Sequence, residues 1–216
     1  PRISSIVGES KEKTEKLLSK STELSICMSC AVGFGIAAIA RVFVPLFFGE
    51  GYEKCVNLLV LFVPVLFVKS LSNVVDQQYL IPAKCDNQYT LAVTGGAIVN
   101  LICNGLLIPQ LGSVGATLGT LMAELSVLIV SAHCAKKEIR FFRMFSRYSY
   151  YLLLGLIMFI AVRFFDSYSH IERSFIRLIL MIMIGGGVYS LLCLTVWLKV
   201  KEKSVFGSIL ISLSKK

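Results

Sequence analysis

Seven polar side chains stand inside long apolar runs, and their spacing is where this sequence first points to chemistry. Lys69 is followed by Asn73, Asp76 and Gln77 at i+4, i+7 and i+8, which places all four on one face of a helix. Asn100 and Asn104 are i, i+4 neighbours, and Glu124 has Thr117 and Thr120 at i−7 and i−4 on its own face. An ionised group at mid-bilayer costs about 2.5 to 3.5 kcal/mol on insertion scales, so each such residue needs a reason to be there. For Lys69 the alternatives are a cavity lining that attracts an anionic ligand and a satisfied structural contact. For the asparagines they are the same lining and hydrogen bonds between helices. Glu124 either pairs with a cation, takes up a proton or holds a coupling ion. Arg41, Arg163 and Arg177 lie nearer one end of their runs, where long side chains snorkel to the headgroups.

The elements that carry these residues follow from composition. Of 216 residues 56% are hydrophobic and only 16% are charged, against roughly a quarter charged in a soluble domain. Uncharged runs cover 24–40, 55–68, 87–123, 148–162 and 178–198. A helix needs roughly 20 mostly apolar residues to cross about 30 Å of hydrocarbon, so the longest run holds two spans. They are divided at Ile108-Pro109-Gln110-Leu111-Gly112-Ser113-Val114-Gly115, a turn signal. The sequence therefore predicts an all-α, polytopic membrane helical bundle of about six transmembrane helices, near 24–48, 55–81, 89–108, 114–134, 148–165 and 174–198. Pro64 is expected to kink the helix that carries Lys69.

The cations give a direction. With the spans laid out alternately, sixteen fall on one side: Arg2, Lys11, Lys13, Lys16 and Lys20; Lys84; Lys136, Lys137, Arg140, Arg143 and Arg147; Lys199, Lys201, Lys203, Lys215 and Lys216. Only Lys54 and Arg173 fall on the other. By the positive-inside rule both ends are cytoplasmic. The +9 net charge is thus a topology signal, and no nucleic-acid partner is expected, because the cations are scattered over membrane-flanking segments.

Other chemistries find little apparatus. The seven cysteines form no disulfide framework. Cys27-Met28-Ser29-Cys30 is a lone C-x-x-C in an apolar helix, and His133 and His170 fall on opposite sides of the membrane, so a zinc site lacks its second pair. There is no Walker loop, nucleophile elbow or H-E-x-x-H helix. No cofactor, no metal and no catalytic residues are expected, and the chain reads as a non-enzyme.

The organisation divides into residues 1–23, a cytoplasmic amphipathic lead-in with a surface helix around 10–21; residues 24–198, the transmembrane domain; and 199–216, a basic cytoplasmic tail. The first residue is Pro1 and the first 23 lack an apolar signal core, which reads as a piece of a longer protein.

Several short motifs carry a resemblance: Pro1-Arg2-Ile3-Ser4, Phe47-Phe48-Gly49, Gln78-Tyr79-Leu80-Ile81-Pro82, Asn100-Leu101 with Asn104, Leu107-Ile108-Pro109, Gly112, Gly115-Ala116 and Glu124. In that order, over about residues 1–135, the chain resembles the C-terminal half of bacterial polysaccharide repeat-unit flippases, of the multidrug/oligosaccharidyl-lipid/polysaccharide exporter superfamily. The resemblance implies a partial C-terminal lobe of a two-lobe exporter around a central cavity. It implies a lipid-linked oligosaccharide substrate, carried on undecaprenyl pyrophosphate and moved to the outer leaflet of the bacterial cell membrane by alternating access. The expected partners are that substrate, membrane lipids, an H⁺ or Na⁺ coupling ion and the missing N-terminal lobe. Substrate binding is expected at Lys69, Asn73, Asp76, Gln77, Asn100 and Asn104, and ion coupling at Glu124. A drug or lipid exporter of the same superfamily is the alternative. A membrane-embedded polysaccharide polymerase or ligase is a further one, disfavoured by the short outer loops.

Overall fold

The computed structural model of the chain describes residues 11–136, 141–169 and 174–200. The first motif of the resemblance, His170, Arg173, Lys137, Arg140 and the basic tail beyond 200 lie outside the described residues. Everything described is helix or short connection: α1 (Lys11–Phe48), α2 (Lys54–Val75) running into a π-helical turn (Asp76–Leu80), α3 (Asp86–Leu111), α4 (Ser113–Ala135), α5 (Phe141–Tyr148), α6 (Tyr150–Tyr168) and α7 (Ser174–Val200).

Six stretches are long and apolar enough to cross a membrane: Thr14–Phe48, Lys54–Leu80, Asp86–Leu111, Ser113–Ala135, Phe145–Tyr168 and Ser174–Leu198. Large apolar side chains stand exposed along these helices, among them Leu101, Ile129, Leu153, Phe164, Met183 and Leu191. Such a surface is stable only against lipid or another apolar face. The chain is an all-α polytopic membrane helical bundle.

Boundaries differ from the sequence reading in three places. α1 is continuous from Lys11, so the expected surface helix and the first span are one rod, and Leu18, Thr22 and Glu23 on it are buried. The expected eight-residue turn contracts to one residue. Pro109 sits inside α3 and forfeits one backbone donor without ending the helix. The chain reverses at Gly112, whose φ of +57° a side chain would disfavour, and α4 begins at Ser113. The third difference is the π turn after Val75, closed by the Ile81 N–H donating to the Asp76 carbonyl at 3.0 Å.

The chain separates into two compact units, residues 1–26 with 64–148 and residues 27–63 with 149–216. In the first, the α3–α4 hairpin packs closely: a side chain on Gly119 of α4 would run into Asn104 of α3. Ser70 Oγ donates to the Ser25 carbonyl at 3.2 Å, and Ser19 Oγ and the Tyr148 hydroxyl share a hydrogen bond of 2.8 Å. In the second, Ala38, Val162 and Met181 form a buried core. There the Tyr189 hydroxyl donates to the Cys27 carbonyl at 2.8 Å, and the Trp197 indole N–H donates to the Tyr151 hydroxyl at 2.7 Å.

Candidate functional site

Lys69 and Glu124 meet. Glu124 lies eleven residues from either end of α4, about 16 Å of helix on each side. Lys69 lies fifteen residues from the start of α2 and eleven from Leu80. Lys69 Nζ is 3.0 Å from Glu124 Oε1, with the lysine side chain 51% exposed and the glutamate 18%. A half-exposed ammonium and a nearly enclosed carboxylate therefore share the middle of their spans.

The π turn brings in a second acid. It adds a residue to the helical repeat at Asp76, which is buried, whereas Asn73 and Gln77 on either side are exposed. Asp76 lies within electrostatic reach of both Lys69 and Glu124 and close to the fully buried Ser131 of α4. Asp76 Oδ1 and Ser131 Oγ are both buried, and neither makes a hydrogen bond. Glu124 Oε2 is likewise buried and unpartnered. One cation thus serves two carboxyl groups, and three enclosed oxygens are open to further bonds, at a depth where unsatisfied polar groups are costly.

The asparagines form a separate arrangement. Asn104 Nδ2 donates to Asn100 Oδ1 at 2.9 Å along α3, and Asn104 Oδ1, held against Gly119, accepts no bond. Thr117 and Thr120 donate to the carbonyls of Ser113 and Ala116 on their own helix, so their hydroxyl protons are already committed to the backbone. Of the seven polar positions, the structure joins Lys69, Asp76 and Glu124 into one cluster and ties Asn100 to Asn104. No hydrogen bond draws Asn73 or Gln77 to the ion pair.

Compared with models of protein families, with curated proteins and with solved structures, the chain matches none of them. Its site is defined by its own geometry.

A second ionic cluster was not visible in the sequence. Arg163 of α6 and Arg177 of α7, expected from the sequence to snorkel, converge on Asp166. Arg163 Nη1 donates to Asp166 Oδ2 at 2.8 Å, Arg177 Nε donates to Oδ1 at 2.8 Å, and Arg177 Nη2 donates to the Asp166 carbonyl at 2.9 Å. The i, i+3 spacing of Arg163 and Asp166 is a usable signal. The pairing with Arg177, across the α6–α7 connection, is not. Among the described residues no group of three or more His, Cys, Asp or Glu side chains is placed to hold a metal ion.

Proposed function

We propose that this chain is the membrane-embedded part of a transporter that passes an amphiphile with an anionic, hydroxyl-rich head from one leaflet to the other. The observation that carries the reading is the mid-span Lys69–Glu124 pair, with its half-exposed ammonium and the open oxygens of Glu124, Asp76 and Ser131 beside it. A polar head crossing hydrocarbon sheds hydrogen bonds to water, each worth several kcal/mol when left unmade. Donors and acceptors at mid-depth replace them. The ammonium attracts a phosphate, and the open carboxylate oxygens take a proton, a small cation or sugar hydroxyls.

The motif resemblance suggests the substrate class: an oligosaccharide repeat unit on undecaprenyl pyrophosphate, moved outward by alternating access against a second lobe. With the ends of this segment cytoplasmic, the membrane potential favours outward movement of the anion by about 2.3 kcal/mol per charge per 100 mV. The chain's part in this is binding and gating, with no covalent chemistry on the substrate.

The test is flipping of the lipid-linked oligosaccharide, followed by head accessibility in vesicles carrying the full protein. Lys69→Ala is expected to abolish it, and Glu124→Gln to remove its dependence on an ion gradient. Undiminished flipping by Lys69→Ala rejects the role assigned to the pair. Flipping of drugs or simple lipids in place of the oligosaccharide would assign a different substrate to the same passage.

A further inference from the structure

In the unit of residues 27–63 and 149–216, a groove of about 650 Å³ runs between α1, α6 and α7. Its walls are almost wholly apolar. On α7 they are Met181, Gly185, Tyr189, Cys193 and Trp197, one stripe at four-residue spacing, and on α6 Met158 and Val162. Continued by one turn, the α7 stripe reaches Arg177 and the α6 stripe reaches Asp166. The Arg163–Asp166–Arg177 cluster therefore stands one turn beyond one end of the groove, past the buried Val162 and Met181.

That end is positively charged. Asp166 is 8% exposed, while Arg163 and Arg177 keep 23% and 31% of their side chains accessible. Two guanidiniums on one carboxylate leave a charge of +1. Each guanidinium has five N–H donors, of which Arg163 commits one and Arg177 two to Asp166. The others are free for planar, two-pronged bonding to phosphate oxygens. Exposed Phe164 and Tyr168, their rings tilted by 41° with centroids 4.6 Å apart, mark this end as the membrane–water interface, the level at which aromatic side chains gather. Lipid phosphates lie at that depth.

We infer that this groove is a binding site for an anionic phospholipid, with an acyl chain along the exposed Ile182, Gly186 and Ser190 of α7 and the phosphate held by Arg163 and Arg177. The charge decides the occupant. A zwitterionic headgroup brings its own cation to a site already positive, whereas a net anionic one neutralises it. Gly186 lines the groove with nothing within 4 Å of where a side chain would begin, so the space beside it is open to a hydrocarbon chain. The inference needs the membrane reading but not the transport proposal: loss of lipid selectivity leaves Lys69 untouched, and loss of flipping by Lys69→Ala leaves the groove untouched.

The test uses fluorescence quenching by brominated lipids. The chain's one tryptophan, Trp197, is replaced by Phe, and Ile182→Trp sets a reporter on the groove wall beside Met181. In phosphatidylcholine vesicles, brominated phosphatidylglycerol is expected to quench the reporter with about fivefold preference over brominated phosphatidylcholine, the scale set by a lone cation beside an anionic headgroup. Arg163→Gln with Asp166→Asn and Arg177→Gln, which removes the whole cluster and leaves no charge unpaired, should bring the ratio to about one. Gly186→Leu, which fills open space and disturbs no packed neighbour, should weaken quenching by both lipids. Equal quenching in the parent, or a preference that survives the triple change, overturns the inference. So does displacement of brominated phosphatidylglycerol by an equal amount of polyprenyl phosphate, which would assign the groove to an isoprenoid tail.

Discussion

Two ionic clusters lie in the two units of this chain and are built in opposite ways. At the α6–α7 end, two arginines surround one aspartate, and both carboxylate oxygens of Asp166 are bonded at 2.8 Å. At mid-span, one lysine serves Glu124 with Asp76 nearby, and one oxygen of each acid is buried without a partner. In the first the acid is fully bonded and fastens α7 to α6, and only the two arginines keep donors to spare. The second is incomplete, and an incomplete polar cluster in the middle of a membrane span is where a mobile group has a place. The contrast separates an acid whose oxygens are both bonded, holding two helices together, from acids that each keep a buried oxygen open.

The contrast can be broken most easily at Asp166. Asp166→Ala leaves two guanidiniums side by side and should cost about 3 to 5 kcal/mol, the usual penalty for removing one member of a buried pair. It should appear as a large drop in the unfolding midpoint of the protein in detergent, followed by circular dichroism. An unchanged midpoint would mean that the arginines are held by solvent or lipid and that Asp166 is no fastening.

Next in size is Gly119→Leu. The added side chain has no room against Asn104, and overpacking of this kind costs about 1 to 3 kcal/mol. The same measurement reads it, with Gly95→Leu, where nothing lies within 4 Å, as the unaffected control.

Lys69→Met sharpens the comparison from the other side. Because the ammonium is half exposed, its pair should contribute no more than about 1 kcal/mol to stability, far less than Asp166, while flipping should fall by more than about tenfold, a change of only 1.4 kcal/mol in the barrier. A large stability loss with flipping preserved would make the mid-span pair a fastening as well.

Smallest is Glu53, a carboxylate of a third kind, fully exposed in the α1–α2 connection. Its own backbone N–H and that of Gly51, 3.1 Å from Oε1, hold it below the ordinary carboxylate value. A lowered native value means that its contribution is present above the unfolded value and is lost as the pH falls through the native one. Glu53→Gln should therefore lower the unfolding midpoint slightly at neutral pH and not at all in acid. A difference that persists in acid would show that the loop is held by something other than the charge.

Much of the architecture was legible because hydrocarbon thickness is a strict ruler: the uncharged runs located all six spanning stretches to within a few residues at most ends. The first span escaped at its start, since the Lys/Glu pattern of 11–20 reads as a surface helix and only the packing of Leu18, Thr22 and Glu23 makes it one rod with the span beyond it. Lys69 and Glu124 were legible as charges out of place. Their union was not, because it depends on how α2 meets α4. Nor was the π turn, which buries Asp76 while Asn73 and Gln77 stay exposed; an inserted helical residue leaves no mark in a 3.6-residue pattern. Asp166 hid for the same reason as the ion pair: its second arginine comes from another helix.

The central claim is that Lys69 borders a hydrated passage at mid-membrane depth. In sealed vesicles, a water-soluble, membrane-impermeant amine reagent applied to one face and then, separately, to the other should acylate the loop lysine of that face, Lys54 or Lys84, and from at least one face Lys69 as well, with the modified sites resolved by mass spectrometry. Reaction of Lys54 and Lys84 with Lys69 left unmodified, from either face of the membrane, would contradict the account.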